Sequence, residues 1–298
     1  MFKEAQLFAP LVIDAAGTPD VTFPPGHPGA GDDEYRMHRN EIAAAALAYR
    51  DGDPLPDIGY TPRDHDTWRR ISAALASLHR EFASTEARDA AERLALPADR
   101  VPQLSEASRR LEHLTGFTLR PAAGIVPLSE FYGSLADCMF HATQFIRHPS
   151  KPLFSPEPDM VHEVIGHGTT LASSRFAKLY RQAGEAARRA GNGTSLKAVS
   201  RVFWFTLEYG VMEENGQFMA YGASLLSAYG ELQSFRGVEI RPLDVRDMVT
   251  RPYDVTSYQP VLYAAESLAH LEDFLGEFSS GVDGDTGDRL GLVPGEKW

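Results

Sequence analysis

The sequence has little cysteine, fewer basic than acidic residues and no long apolar segment, and each shortage excludes a class of protein. Cys138 is the single cysteine, so an internal disulfide framework and a cysteine-rich zinc site are excluded. Lysine and arginine number 29 against 41 aspartates and glutamates, which gives a formal net charge of −12. Because this charge repels phosphate groups, we expect neither a nucleic acid nor a membrane surface as a partner.

Apolar segments and targeting signals point to the same class. The longest apolar stretch, Ile42 to Tyr49, is far shorter than the roughly 20 residues that a membrane-spanning helix needs. The amino terminus (MFKEAQLF) has neither the basic region nor the apolar core of a secretory signal. With 43% hydrophobic and 23% charged residues, the composition is typical of a globular protein, and we expect a cytoplasmic location.

Helical patterns dominate most of the chain. We predict an N-terminal arm over residues 1–26, one mostly α domain with a few short β-strands over 27–278, and a flexible, glycine- and aspartate-rich tail over 279–298. Thr61 followed by Pro62 is typical of a helix start, and this helix is predicted to reach about Phe82. Later helices are predicted over 128–145, 159–171, 173–190, 196–213 and 220–235, and short strands within Phe117 to Val126 and Val238 to Leu243.

Two histidines lie close together in the segment PDMVHEVIGHGTTL. His162 and His167 are separated by five positions, whereas the zinc-protease motif H-E-x-x-H separates its histidines by four, on one helix face. On an ideal α-helix, five positions leave two side chains roughly 140° apart. Both rings can therefore reach one ion only if the helix bends or ends near Gly166. The alternative is a pair of ordinary histidines near a helix end, one of them capping carbonyls.

A carboxylate lies inside the most apolar segment, RVFWFTLEYGVMEE (201–214). This segment is apolar nearly all round, which predicts a buried helix, and Glu208 lies in its middle. A buried carboxylate is costly unless it is paired or binds a metal, so Glu208 either pairs with Arg147 or Arg201 or joins the two histidines as a third ligand. Two histidines and a carboxylate bind Fe(II) in non-haem oxygenases and also bind catalytic zinc.

Longer segments resemble the catalytic domain of the pterin-dependent aromatic amino acid hydroxylases, and most of all the phenylalanine-hydroxylating members. They lie in family order over about residues 27–278 and include HPGAGDDEYRMHRNEIAAAALAYRDGDPLPDIGYTPRDHDTW, VPQLSEASRRLEHLTGFTLRPAAGIVPLSEF, FHATQFIRHPSKPLFSPEPDMVHEVIGHGTTL, WFTLEYGVMEENGQFMAYGASLLSAYGELQ and DVTSYQPVLYAAESL. The resemblance implies this family's catalytic fold without its regulatory domain or oligomerisation helix, and hence a monomer or weak dimer. It also implies Fe(II), a tetrahydropterin (tetrahydrobiopterin or a similar compound) and O₂ as co-substrate.

The resemblance assigns roles to residues one by one. It assigns the iron to His162, His167 and Glu208. The implied substrate-binding residues are Arg147 for the substrate carboxylate, Ser155, Trp204 as an aromatic wall, and Ser227, which matches a serine bonded to an iron-ligating histidine. The implied pterin-binding residues are Gly124, Val126, Leu128, Phe131, His141, Glu163 and Phe203. The segment Gly168-Thr169-Thr170 departs from the Val-Pro-Leu that the family usually has after its second histidine.

These matches favour an aromatic amino acid monooxygenase, with L-phenylalanine to tyrosine as the first expectation. Trp204 stands where tryptophan hydroxylases carry a smaller ring, and Val255 stands where tyrosine hydroxylases carry an acidic residue. The departure at 168–170 keeps open attack at the 3-position of phenylalanine, giving meta-tyrosine, and also tryptophan as substrate. Two alternatives come from other classes: a zinc metallohydrolase on the same three ligands with Glu163 as base, and a binding protein on an inactive hydroxylase fold.

Overall fold

A local capping signal starts one helix where the sequence predicts it. The computed structural model describes residues 10–15, 17–191, 193–255 and 257–293. Thr61 accepts a hydrogen bond from the backbone N–H of Asp64, and the Asp64 carboxylate accepts one from the backbone N–H of Thr61. With Pro62 in the first turn, this capping box begins a helix over Pro62–Phe82, so the predicted start and end are confirmed.

Thirteen α-helices occur within the described residues. They are α1 (Asp33–Ala48), α2 (Pro62–Phe82), α3 (Thr85–Leu94), α4 (Leu104–Thr115), α5 (Leu128–Leu135), α6 (Gly168–Leu171), α7 (Ser174–Ala190), α8 (Thr194–Phe203), α9 (Ala223–Ser227), α10 (Tyr229–Ser234), α11 (Val245–Thr250), α12 (Leu268–Ser280) and α13 (Thr286–Arg289). Two π-helical segments, Val161–His167 and Trp204–Glu208, adjoin α6 and α8. None of the described helices is both long enough and apolar enough to cross a membrane.

The strands are short and form three small sheets. They are β1 (Leu11–Ile13), β2 (Pro19–Val21), β3 (Thr118–Pro121), β4 (Met139–Ala142), β5 (Val211–Glu214), β6 (Gln217–Ala220), β7 (Glu239–Pro242) and β8 (Val261–Ala265). β1 pairs with β2 antiparallel and β3 with β4 parallel, and the largest sheet has the order β6-β5-β8-β7. The prediction of a mostly α domain with a few short strands is confirmed.

Two predicted helices end early because the chain turns into strands. The helix predicted over 128–145 stops at Leu135, and β4 follows after Cys138, whose φ of 54° breaks the helical path. The helix predicted over 196–213 stops before Gly210, where an added Cβ would lie 2.2 Å from the Tyr221 hydroxyl oxygen. An apolar run is compatible with a buried helix or a buried strand, so its periodicity alone did not distinguish the two.

The hydrophobic core includes buried side chains of both π-helical segments and of α7. Phe176 and Tyr180 of α7 are fully buried, and Gly184 allows α7 to approach the end of α5 closely. A Cβ at Gly184 would lie 2.3 Å from the backbone nitrogen of Ala136. This packing fixes α7 against α5, and Tyr180 of α7 contacts His167 in the first π-helical segment.

The described part of the predicted flexible tail, residues 279–293, packs against the domain, which corrects that expectation. Val282 and Leu292 are buried. The Ser195 hydroxyl donates to the carbonyl of Gly284 at 2.7 Å and accepts from the N–H of Gly287 at 2.9 Å. Buried apolar side chains and paired backbone groups thus hold a glycine- and aspartate-rich segment that its composition alone suggested was loose.

Candidate metal and substrate site

The spacing of the two histidines is accommodated by a π-helix. His162 and His167 lie in the segment Val161–His167, and its last turn closes with a hydrogen bond from Gly168 N–H to the carbonyl of Glu163. In a π-helix, the backbone hydrogen bonds join residues i and i+5, so these two residues lie close together on neighbouring turns. The two rings therefore share a face, and their Nε2 atoms are 3.0 Å apart. The expectation that the helix bends or ends near Gly166 is wrong, because the helix widens instead.

Gly166 serves a different purpose, which is close packing. A Cβ at this position would lie 2.5 Å from the carbonyl oxygen of Ala223 at the start of α9. The close approach brings α9 beside the segment that carries the two histidines. Ser227 of α9 contacts Nδ1 of His162 at 3.0 Å, the contact that the resemblance implies for it.

Glu208, the third predicted ligand, lies in the second π-helical segment. The N–H of Tyr209 bonds to the carbonyl of Trp204, again across five positions. The Glu208 carboxylate places Oε1 3.2 Å from Nε2 of His167 and Oε2 3.8 Å from Nε2 of His162.

The expected arginine partners of Glu208 bond elsewhere. Arg147 pairs with Asp159, and Arg201 donates to the carbonyls of Val249 and Arg251. Ser224 donates to Oε2 of Glu208 at 2.7 Å. A buried carboxylate between two imidazoles, and not beside an arginine, is suited to a metal ion.

The shifted pKa values of Glu208 and His162 keep both side chains in forms with lone pairs that can bind a cation. Burial alone would raise the pKa of Glu208, but the two neighbouring imidazoles and Ser224 outweigh it and lower the pKa to about 2. Burial, with the charge of His167, lowers the pKa of His162 to about 3. An ionised carboxylate and a neutral imidazole at neutral pH are the forms that bind metals.

Glu163 is a second carboxylate at this site. Its ligand atom and those of His162 and His167 lie within 4.8 Å of one another. Burial raises the pKa of Glu163 to about 7, and its Oε1 accepts hydrogen bonds from the backbone and hydroxyl of Thr143 at 3.1 and 2.9 Å. Glu163 is thus held by Thr143, whereas the Glu208 carboxylate directs its two oxygens at the two imidazoles, and Glu208 stays the predicted third ligand.

Above these groups lies a cavity of about 180 Å³. Ten residues predicted for the site line it: Phe131, His141, Arg147, Ser155, His162, Glu163, His167, Trp204, Glu208 and Ser227. Val255, which bears on the choice of substrate, also lines it. Burial, helped by the charge of Arg120, lowers the pKa of His141 to about 4, so this ring is neutral.

Four residues predicted to bind the pterin do not line this cavity. They are Gly124, Val126, Leu128 and Phe203. Phe203 lies in the core, where it packs edge-on against Tyr132 and Tyr180. Gly124 faces Leu11 of β1, 3.7 Å from where its Cβ would be. Their role in pterin binding stays a prediction.

The altered segment Gly168-Thr169-Thr170 also lies outside the cavity lining, behind His167. Thr169 and Thr170 are buried, and the Thr170 hydroxyl donates to the carbonyl of His167 at 2.9 Å. Thr170 thus connects this segment to the backbone of His167.

Arg147 is positioned by a residue that sequence reasoning missed. Its Nε and Nη2 donate to the two oxygens of Asp159 at 2.9 and 2.8 Å, and its backbone N–H donates to Asp159 as well. Asp159 lies three positions before His162, the place where an acidic residue caps a helix, and its Oδ1 also accepts from the His162 N–H. That capping position was the signal that could have identified it.

Gln259 is a second residue that the sequence analysis did not identify. It connects Trp204, in the cavity wall, to Glu231. Its Oε1 lies 3.3 Å from Nε1 of Trp204, and its backbone N–H donates to Glu231 at 2.6 Å. Its amide also donates to the carbonyls of Asp254 and Ser257. No local pattern singled out this residue, because the two partners that connect it to the cavity, Trp204 and Glu231, come from distant parts of the chain.

Comparison with protein families matches residues 15–285 to the biopterin-dependent aromatic amino acid hydroxylases. The chain belongs to this family. A phenylalanine 3-hydroxylase of Streptomyces coeruleorubidus is 45% identical over 260 residues, which cover 87% of this chain and 93% of the relative. The bovine tyrosine 3-monooxygenase is 39% identical over 86% of this chain, which spans about half (53%) of that relative's length. The chain is thus an aromatic amino acid hydroxylase, with the catalytic domain that the sequence indicated.

Solved hydroxylase structures share the fold. The apo phenylalanine hydroxylase of Colwellia psychrerythraea superimposes with a TM-score of 0.71 at 26% identity, covering 82% of this chain and 95% of that one. A phenylalanine hydroxylase of Chromobacterium violaceum, with bound iron(III) and 7,8-dihydrobiopterin, has a TM-score of 0.72 at 24% identity, covering 82% and 93%.

Proposed function

We propose that this hydroxylase acts on L-phenylalanine at the 3-position, using Fe(II) held by His162, His167 and Glu208, a tetrahydropterin and O₂. The observation that carries the proposal is the convergence of two imidazole Nε2 atoms and a buried carboxylate within 3.0–3.8 Å of one another, below a cavity that Arg147 also lines. Three ligands on one side leave coordination positions open for O₂ and substrate.

The chemistry of the donor set fits iron. Nitrogen and oxygen donors in the two-histidine, one-carboxylate set suit Fe(II), whereas thiolates, which would favour softer metals, are absent from the described ligands. Ser227 and Ser224 hold His162 and Glu208 by hydrogen bonds, and such partners orient ligands. Iron and pterin together supply the activation of O₂ that the protein side chains cannot.

The remaining residues would bind and orient the amino acid. Arg147, already held by Asp159, presents its remaining N–H groups to the substrate carboxylate. Trp204 stacks on Tyr253 with ring centroids 4.6 Å apart, so it is a rigid wall for the aromatic ring. Holding the amino acid at its carboxylate and along one ring face presents the ring edge to the metal at a fixed angle.

The Streptomyces relative favours the 3-position over the first expectation of para attack. That protein is named a phenylalanine 3-hydroxylase, and it aligns over nearly its whole length. Val255 in the cavity lining, where an acidic residue is expected for tyrosine, supports phenylalanine over tyrosine as substrate.

Product analysis tests the proposal. The Fe(II)-loaded protein is incubated aerobically with a tetrahydropterin and phenylalanine, tyrosine or tryptophan in separate reactions, and the products are chromatographed against authentic para- and meta-tyrosine. We expect meta-tyrosine from phenylalanine. Para-tyrosine as main product would overturn the assigned position, and faster turnover of tryptophan would overturn the substrate. Turnover of a hydrolysable substrate without O₂ or pterin would favour the zinc hydrolase.

A further inference from the structure

The second histidine ligand is held from behind by a pair of buried hydroxyl groups. The Nδ1 atom of His167 lies 2.9 Å from the hydroxyl oxygen of Tyr180 on α7. That oxygen lies 2.9 Å from Oγ1 of Thr170, and Thr170 Oγ1 is 2.9 Å from the carbonyl oxygen of His167. All three residues are at most 1% exposed, so bulk water cannot replace a missing partner.

The proton positions in this ring of contacts follow from the available donors and acceptors. The Nε2 atom of His167 faces His162 and Glu208, so as a metal ligand it carries a lone pair and the proton of the neutral ring lies on Nδ1. Nδ1–H then donates to the Tyr180 oxygen, and the tyrosine hydroxyl donates to Thr170 Oγ1. The Thr170 hydroxyl completes the cycle by donating to the His167 carbonyl, since that carbonyl can only accept.

We propose that Tyr180 and Thr170 are positioning residues that hold His167 in the Nδ1–H form, with Nε2 directed at the metal, and thereby raise the affinity of this protein for its metal ion. The inference rests on the metal site of the proposed function. It assigns a role to Thr170, which belongs to the segment that departs from the usual family sequence, and to Tyr180, which no sequence pattern singled out.

The arrangement at His162 supports the same principle through different residues. Its Nδ1 contacts the Ser227 hydroxyl at 3.0 Å, and that hydroxyl lies 2.9 Å from the carbonyl of Ala223. At each histidine, therefore, a hydroxyl group accepts a hydrogen bond from Nδ1–H and donates one to a further acceptor. At His167 the acceptor is another side chain, so the support depends on two residues instead of one. Such partners fix the tautomer and the orientation of a ligating ring.

Metal affinity is the direct test, and Co(II) and Fe(II) are the probes. Apo-protein is titrated with Co(II), followed by its visible d–d absorption, and with Fe(II) under anaerobic conditions in competition with a chelator. Tyr180→Phe keeps the ring and removes the hydroxyl, and we expect the dissociation constants to rise by about 10- to 100-fold, the usual cost of losing such a partner. The Co(II) spectrum should also change, because the ring is no longer held.

Two substitutions at Thr170 separate the hydroxyl from packing. Thr170→Val removes the hydroxyl with little change in shape, and we expect weaker metal binding, by a smaller factor because Tyr180 can still accept from Nδ1. Thr170→Ser keeps the hydroxyl and should restore affinity close to the wild-type value. This pair keeps the test decisive if Tyr180→Phe folds poorly.

The matched control is Tyr132→Phe. Tyr132 is also fully buried, also packs edge-on against Phe203, and donates to Ser200 at 3.4 Å, away from both histidines. We expect this variant to lose stability without losing metal affinity. Wild-type affinity and an unchanged Co(II) spectrum in Tyr180→Phe and Thr170→Val would overturn the proposal, even if both variants were less stable.

The binding measurement contains no amino acid, pterin or O₂. A failure of the proposed hydroxylation would therefore leave these titrations interpretable. If the wild-type protein bound neither metal, the metal site itself would be refuted, and the proposal with it.

Discussion

Arg147 and Asp159 form a buried, side-on ion pair in which Nε and Nη2 of the guanidinium lie 2.9 and 2.8 Å from the two carboxylate oxygens. The family resemblance implies that Arg147 binds the substrate carboxylate through two parallel hydrogen bonds. In the structure, the Nε–Nη2 edge of the guanidinium is already bonded to Asp159. The pair made by Nη1 and the second proton of Nη2 is what remains for the amino acid. Asp159 thus fixes which edge of Arg147 faces away from the ion pair and would meet the proposed substrate.

Arg147→Lys should weaken binding of phenylalanine without comparable change for the pterin. A lysine keeps the charge but has no planar fork, so we expect a loss of about 1.5–3 kcal/mol in apparent affinity, the scale of a charge-assisted hydrogen bond. Steady-state KM values for both substrates measure it. Arg201→Lys is the control, since Arg201 is also buried but bonds to backbone carbonyls. An unaltered KM for phenylalanine in Arg147→Lys would remove the residue from the substrate site.

Glu208→Gln should abolish most of the activity. The amide keeps the shape of the side chain but removes the negative charge among the ligands, so we expect both iron content and turnover to fall, turnover by more than about 100-fold. Iron is measured by metal analysis of the purified protein, and a chelator should inactivate the wild type in the same way. Glu213→Gln, on the exposed part of β5, should leave both unchanged. Near wild-type iron and turnover in Glu208→Gln would show that Glu208 is not a ligand.

The segment behind His167 should influence which ring carbon is attacked. Restoring the usual pair with Gly168→Val and Thr169→Pro adds bulk next to the ligand. A Cβ at position 168 would lie 3.3 Å from the flexible end of Leu94, which can shift to admit the valine. Because a shift of roughly 1 Å at the reacting centre decides outcomes, we expect the product ratio to move from meta- toward para-tyrosine. A constant ratio by chromatography would mean that this segment does not set the position of attack.

Because of Glu231, we expect the free energy of unfolding to decrease as the pH rises through neutrality. Burial raises the pKa of Glu231 to about 7, from an ordinary value of 4.5. Between these values the folded protein holds a proton that the unfolded chain has released, so the free energy of unfolding decreases with rising pH and levels off above the folded-state pKa.

Glu231→Gln removes this titration and isolates its contribution. We expect the wild type to lose about 1–3 kcal/mol relative to Glu231→Gln between about pH 5 and pH 8, measured by urea unfolding of the metal-free protein. Glu239→Gln, at an exposed position of β7, should follow the wild type. Parallel pH profiles for the wild type and Glu231→Gln would show that Glu231 does not titrate in this range.

Several features follow from the sequence because their causes are local. Thr61, Pro62 and Asp64 are neighbours in the chain, and their capping interactions determine where α2 begins. The three candidate metal ligands were also predicted from the sequence, since a carboxylate inside an apolar helix requires a compensating partner and the family resemblance named the two histidines. The residues alone were compatible with either iron or zinc, and the resemblance to the family favoured iron.

Other features depended on the tertiary structure. On an α-helix, the spacing of His162 and His167 would direct their rings apart. A π-helical turn brings their Nε2 atoms together instead, and in this turn Gly166 packs closely against Ala223. Tyr180 reaches His167 from the next long helix. Such contacts depend on how helices pack across the core, where distance along the chain has no bearing on proximity in space. The sequence alone therefore determined which side chains are candidates for binding a metal and a substrate, while the packing of distant segments determined how each is held.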